Sequence, residues 1–151
     1  MKSAGIEDVD LLDHTGMQFA RWHKTAINAA LNPTSVLAGG VTNQALALDD
    51  ETLEHMRAVM EEMLNAASVI LGAPVSSSLP SIEAVLQGVK EDKSGSKSSM
   101  WSDWAAGRRV ELEAILGNPL REARAAGVDL PRVQSMYAML KTLQNLRTDS
   151  K

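Results

Sequence analysis

The sequence contains no cysteine, which excludes a disulfide framework and any metal site built from thiolates. It also lacks a run of about 18 apolar residues, the length that predicts a membrane-spanning helix. The first ten residues have no apolar segment of the kind that signal peptides carry. From these absences we expect a cytoplasmic protein that does not act at a membrane.

Aromatic residues and concentrated positive charge are also scarce. The chain has one phenylalanine, one tyrosine and three tryptophans, and its apolar mass is mainly Leu, Ala, Val and Met, which favours helices over strands. The net charge is -4 and the basic residues are scattered, so we expect no nucleic-acid partner. A length of 151 residues with 44% hydrophobic content predicts one globular domain.

The spacing of the apolar residues predicts an all-α domain, a compact bundle of six to eight helices. Residues 1–15 are acidic and irregular, and we interpret them as an N-terminal arm or linker remnant, with the helical domain at 16–151. A mobile surface loop is predicted at 91–97. Four of the predicted helices cover 16–31, 49–70, 82–89 and 131–146. A short helix is predicted from Pro33 to Gly39-Gly40, with Asn32 as its N-cap, and another is capped by Ser98-Ser99 and interrupted near Gly107. A further helical segment starts at Val110, breaks at Gly117-Asn118-Pro119 and resumes to Ala126.

A polar stripe marks the first helix. Lys24, Asn28 and Asn32 are four residues apart, so on a helix they share one face, among neighbours apolar enough to be buried. Burying an amine is costly unless it is paired or neutral, so the stripe indicates a functional surface. The alternative is a solvated lysine, an asparagine that faces water and an asparagine that only caps a helix.

A second cluster lies at Ser98, Ser99 and Glu111. A helix N-terminus after a flexible loop favours an anion, and the serine hydroxyls would add donors, although plain N-capping explains the same residues. Glu111 lies twelve residues beyond Ser99, so both would reach one ligand only if the chain bends near Gly107.

The histidines do not indicate a metal centre. His14, His23 and His55 are not at the spacing of metal ligands, and we expect no bound metal. The series Met56, Met60 and Met63 is most simply core packing.

Four landmarks occur in order along roughly residues 4–145, and together they resemble the C-terminal domain of ketopantoate reductases (2-dehydropantoate 2-reductases). That resemblance implies a helical fold of the type found at the C-terminus of 6-phosphogluconate dehydrogenases. The landmarks are Trp22-x-Lys24-x-x-x-Asn28-x-x-x-Asn32-Pro33, a helix from Leu53 to Gly72 with Glu61-Glu62, then Ser98-Ser99-Met100-x-x-Asp103-x-x-x-Gly107-Arg108-x-x-Glu111, and finally Gly117 with Gly127-Val128-x-x-Pro131.

The resemblance implies a role for each matching residue. Lys24 would be the general acid that donates a proton to the ketone oxygen of a small 2-oxo acid, and Asn28 and Asn32 would orient the substrate. Ser99, with Ser98 beside it, would bind the substrate carboxylate, and Glu111 would bind its hydroxyl as a second catalytic residue. NADPH is the cofactor that the family implies.

Two features depart from the family pattern. Ser96 stands where a relative can carry an asparagine near the substrate. The sequence also has no Gly-x-Gly-x-x-Gly segment after a strand, because Gly39-Gly40 does not provide one. We therefore expect the chain to lack the N-terminal Rossmann domain of the family and to be inactive as a reductase without that partner.

Other functions remain open at this stage. Alternatively, the domain stands alone and uses the substrate pocket to bind a small molecule, or to catalyse a reaction of one, without a cofactor. In a third possibility, the domain serves as a dimerisation module. The loss of a Rossmann partner would uncover an apolar face, and we expect a homodimer through that face.

Overall fold

The computed structural model describes residues 14–149, so the arm predicted at 1–15 lies almost wholly outside the described residues. Between residues 14 and 149 the chain forms seven α-helices, a five-residue π-helical turn and no strand, which confirms the all-α prediction. None of these helices is long and apolar enough to cross a bilayer. The elements are α1 (His14–Leu37), α2 (Asn43–Leu48), α3 (Asp50–Leu71), α4 (Ile82–Glu91), α5 (Ser99–Ala105), the π-turn (Glu113–Gly117), α6 (Asn118–Ala125) and α7 (Pro131–Asp149).

The core lies between α1 and α3, the two longest helices, which pack against each other more extensively than any other pair. Small side chains on α1 allow the two backbones to approach closely, and the methionines on α3 fill the remaining irregular space. The methionine series is therefore core, as predicted. The buried residues at this contact include Phe19, Ala26, Ala29, Ala30, Met56, Val59, Met60 and Met63.

The predicted helix ends are confirmed where a side chain or a glycine specifies them. The Asp49 carboxylate accepts the Thr52 N–H at 2.9 Å and starts α3. Gly72 ends α3 with φ +65°, a conformation that favours glycine. Ser81 and Ser98 cap α4 and α5 by the same kind of hydrogen bond as Asp49.

The predicted boundary at Asn32-Pro33 is wrong, because α1 continues through Pro33 to Leu37. Proline removes one N–H from the helix, yet Pro33 is itself buried, and packing of the helix outweighs that loss. The Asn32 carbonyl accepts a hydrogen bond from the Ser35 hydroxyl at 2.8 Å. Asn32 is thus an interior residue of one helix and not an N-cap.

Two further elements differ from the prediction. The chain does not break at Gly117-Asn118-Pro119, because Gly117 and Asn118 have helical dihedral angles and the π-turn leads directly into α6. A π-turn holds one extra residue per turn, and that extra residue hides the helical period in the sequence. Helix α2 was not predicted, although Thr42 caps it by accepting the Ala45 N–H.

Candidate functional site

Helix α1 presents the polar stripe formed by Lys24, Asn28 and Asn32. Asn28 and Asn32 are half-buried, whereas Lys24 is exposed. Residues 14–149 therefore do not shield the Lys24 amine from water, although its apolar neighbours predicted a buried position. Eight residues of helix span about 12 Å, which is the length of the stripe along α1. Across residues 14–149, no side chain makes a hydrogen bond or an ion pair with these three side chains.

A buried chain of hydrogen bonds joins the stripe to the start of α5. The Ser35 hydroxyl donates to the Asn32 carbonyl at 2.8 Å and is also hydrogen-bonded to the Ser98 hydroxyl. Since the one Ser35 proton goes to Asn32, the Ser98 hydroxyl donates to Ser35. Ser98 in turn accepts the Trp101 N–H at 3.1 Å. The last turn of the stripe is therefore fixed next to the N-terminus of α5.

Ser35 is a residue that the sequence analysis missed. It is fully buried, at 0% exposed, and it is the hydroxyl through which the two predicted clusters meet. The signal that would have revealed it is a polar residue at a core position three residues beyond Asn32. Its importance was hidden by the wrong helix boundary, because a serine after Pro33 is ordinary in a short capping helix.

Ser98 and Ser99 occupy different environments although they are adjacent. The Ser98 hydroxyl is buried and has two partners within the protein. The Ser99 side chain is exposed, and no hydrogen bond joins it to another side chain in residues 14–149. Of the two serines, Ser99 is the one whose hydroxyl is available to a ligand.

Gly40 allows α5 to lie close to the end of α1. Its φ is +81°, and a Cβ atom at this position would lie 2.0 Å from Cε2 of Trp101. The Gly40 N–H also donates to the Ser35 carbonyl at 2.8 Å. The indole of Trp101 therefore packs directly on the backbone of Gly40, beside the serine pair.

Glu111 follows the bend that the sequence analysis required. Helix α5 ends at Ala105, Gly107 has φ +76°, and the Arg108 N–H donates to the Asp103 carbonyl at 2.9 Å. The bend is therefore confirmed. Glu111 is exposed on the far side of it, in a cavity of about 390 Å³, and in the described part of the chain no hydrogen bond or ion pair joins Glu111 to the stripe or to Ser99.

A neighbouring carboxylate, Glu113, is fully paired. It accepts the Tyr137 hydroxyl at 2.6 Å and Arg121 Nη2 at 2.7 Å. The hydrogen bond from Tyr137, followed by the one from Arg121, holds the pKa of Glu113 below its ordinary value. We call Glu113, Arg121 and Tyr137 the Glu113 cluster.

The residues that the structure describes do not fit a dinucleotide. They form no strand, and the Gly39-Gly40 turn has no open cradle, because Trp101 fills the space beside Gly40. Between residues 14 and 149 no group of three or more His, Asp or Glu side chains lies close enough together to hold a metal ion.

Known proteins share this helical fold and much of its sequence. The family model described as "Ketopantoate reductase PanE/ApbA C terminal" matches residues 17–144. A 2-dehydropantoate 2-reductase of Nostoc sp. is 32% identical over 142 residues, which cover 94% of this chain and 42% of that protein.

Solved structures agree with this match. A 2-dehydropantoate 2-reductase from Methylococcus capsulatus superposes with a TM-score of 0.75 and 33% identity over 85% of this chain and 40% of that one. The dimeric ketopantoate reductase of Staphylococcus aureus superposes at 0.74 with 23% identity over 87% of this chain and 44% of that one, which shows the fold alone. The chain spans about two fifths of the length of these relatives. It belongs to the ketopantoate reductase PanE/ApbA C-terminal family.

Proposed function

We propose that this domain binds a small 2-oxo acid, of which ketopantoate is the first candidate, and donates a proton to its oxygen. The observation that carries the proposal is the stripe of Lys24, Asn28 and Asn32, whose side chains have no partner within residues 14–149 and whose last turn is fixed next to Ser99. The amide groups of Asn28 and Asn32 are reached by solvent, so they are free to form hydrogen bonds with a ligand. The family implies the kind of ligand.

Lys24 takes the role of general acid in this proposal. When a ketone carbon is reduced, negative charge develops on its oxygen, and an ammonium group close to that oxygen stabilises the charge and supplies the proton. Because Lys24 is exposed here, a second surface must cover it to exclude water. A Rossmann domain, as the family implies, would provide that cover.

Asn28, Asn32, Ser99 and Glu111 take binding roles. Each amide offers a donor and an acceptor on one face of α1, which suits a ligand that carries both a carbonyl and a hydroxyl. The exposed Ser99 hydroxyl suits the substrate carboxylate, and the Glu111 carboxylate suits a substrate hydroxyl. Ser98 acts through its hydrogen bonds, by holding the start of α5 in place.

The role proposed for this domain does not include holding the cofactor. NADPH is the cofactor implied by the family, but the described residues do not fit it, so their proposed role is to bind the substrate and to supply the proton that the ketone oxygen takes up when a separate domain delivers hydride to the carbon. The remaining chemistry requires a dinucleotide-binding domain.

The test is calorimetric titration of the 151-residue chain with ketopantoate, pantoate and NADPH, singly and together. We expect ketopantoate and pantoate to bind, NADPH alone to give no heat, and the mixture of ketopantoate and NADPH to show no turnover. Asn28→Ala is expected to weaken ketopantoate binding about tenfold, the loss of one good hydrogen bond. Asn65→Ala, at an exposed position on α3, is the matched control. No binding of ketopantoate, or equal effects of the two substitutions, contradicts the proposal.

Self-association is a second candidate function. Several large apolar side chains are exposed, including Met17 at 59%, Leu48 at 62% and Val69 at 51%. The Staphylococcus aureus relative is described as dimeric. We propose that this chain forms a homodimer, and a monomer by light scattering at high concentration would contradict that.

A further inference from the structure

An open cavity lies on the other side of α1 from the stripe. It has a volume of about 620 Å³ and is lined by the end of α1, the start of α3 and the start of α7. Thr34, which faces it, is two residues beyond Asn32 and therefore about 200° around the helix axis. This cavity is thus separate from the proposed substrate site, and it is large enough for a small organic molecule.

One wall of the cavity is apolar. It is formed by Leu37 from α1 and by Met136 and Met139 from α7. Leu37 is 38% exposed and Met139 is 49% exposed, so both side chains offer surface to a ligand, whereas Met136 is buried beneath them. Methionine side chains adapt their shape easily, and this wall suits a flexible hydrocarbon chain.

The opposite wall carries a cation and an imidazole. Arg132 is half-exposed, and one of its Nη atoms lies 3.4 Å from the Glu62 carboxylate, which also accepts the backbone N–H groups of Arg132 and Val133. The guanidinium therefore keeps donors that Glu62 does not use. His55 is half-buried, and its ring has no hydrogen-bond partner among residues 14–149.

The electrostatics of this wall favour an anion. Burial is the first cause of the lowered pKa of His55, and the positive charge of Arg132 is the second. Glu62 opposes these two effects and raises that pKa. A neutral imidazole in such a place donates an N–H to a carboxylate.

We propose that this cavity binds a small amphipathic carboxylate, whose head group contacts Arg132 and His55 and whose hydrocarbon chain lies on Leu37, Met136 and Met139. The inference does not depend on the proposed reductase role, because the two sites lie on different sides of α1. Octanoate serves as the probe, and octanol and octylammonium of the same chain length test the charge of the head group.

The experiment is ligand titration of the full 151-residue chain by calorimetry. We expect saturable binding of octanoate, weaker binding of octanol and none of octylammonium. Arg132→Gln keeps both backbone bonds to Glu62 and is expected to weaken octanoate about tenfold while leaving octanol unchanged. Arg124→Gln, at an exposed position on α6, is the control for lost charge.

A second variant places a charge at the apolar rim. Met139→Glu is expected to abolish octanoate binding, and Leu143→Glu, which changes an exposed apolar residue of α7 outside the cavity lining, is expected to leave it intact. Absence of saturable octanoate binding at millimolar concentration overturns the inference, as does equal binding of octylammonium. Asn28→Ala separates the two proposals, since it is expected to weaken ketopantoate and leave octanoate unaffected.

Discussion

The stripe on α1 and the Glu113 cluster are two polar groupings that differ in how their side chains are satisfied. In the Glu113 cluster each charged or hydroxyl group has a partner, with Tyr137 and Arg121 both on one carboxylate and Lys141 5.5 Å from the Tyr137 ring centre. In the stripe no side chain has a partner within the described residues.

The difference indicates which grouping serves the fold and which is available to a ligand. A polar cluster that satisfies itself gains little from a ligand and contributes to holding its helices together. The half-buried amides of the stripe have no partner within the described residues and are reached by solvent, so they are available to a ligand.

The largest expected effect is that a substitution in the stripe changes ligand binding, whereas one in the Glu113 cluster changes stability. Asn32→Ala is expected to weaken ketopantoate binding about tenfold and to change the free energy of unfolding little, because no protein partner is lost. Glu113→Ala is expected to lower the unfolding temperature and to leave ketopantoate binding unchanged. Calorimetric titration and thermal unfolding of both variants measure the four quantities. If Asn32→Ala destabilises the fold as much as Glu113→Ala, the contrast fails.

Ser35→Ala is expected to affect both properties, because Ser35 joins the stripe to the serine pair. Removing its buried hydroxyl should lower the free energy of unfolding by about 1–3 kcal/mol, the usual cost of leaving buried partners unsatisfied. Ketopantoate binding should weaken as well, since Ser99 is no longer held next to Asn32. Urea unfolding and titration test this, with Ser135→Ala, an exposed hydroxyl bonded to the Pro131 carbonyl, as the matched control. An unfolding free energy equal to that of the control would show that the link contributes nothing.

The smallest expected effect concerns the acid titration of Glu113. The pKa of Glu113 is lowered in the folded state, and the hydrogen bond from Tyr137 is the largest cause. The stabilisation that Glu113 provides is therefore complete above the ordinary carboxyl pKa and is lost as the pH falls through the lower folded pKa. Tyr137→Phe is expected to raise that pKa toward the ordinary value, so that the stabilisation is smaller and its loss is complete at a higher pH. Carboxyl chemical shifts followed by NMR report the change. An unchanged Glu113 titration would assign the lowering to Arg121 alone.

Much of the fold followed from local chemistry. Asp49, Ser81 and Ser98 cap helices by bonds within three residues of themselves, and Gly72 stops α3 by its positive φ, so these boundaries are visible in the sequence. The same local reasoning failed at Pro33, which is buried within an uninterrupted α1, and at Gly117, where a π-turn shifts the helical period. Neither the burial of Pro33 nor the π-turn is visible in the local sequence pattern.

The candidate site was also predictable only in part from the sequence. The spacing of Lys24, Asn28 and Asn32 predicted a common face, and their position on one uninterrupted helix agrees with it. The exposure of Lys24 was not predictable, because a stretch of apolar neighbours does not reveal which side of a helix is covered. The burial of Ser98 beside the exposed Ser99 was equally hidden, since two adjacent serines are chemically identical until a helix packs against one of them.

The helical class, most helix ends and the polar stripe follow from local sequence, because they depend on propensity, capping and a fixed residue spacing. Packing between distant segments makes α1 one helix, brings Ser35 to Ser98 across 63 positions of the chain and places Gly40 beneath Trp101. It also selects which polar side chains have partners. These properties depend on which distant surfaces pack together, and close packing of whole helices selects them.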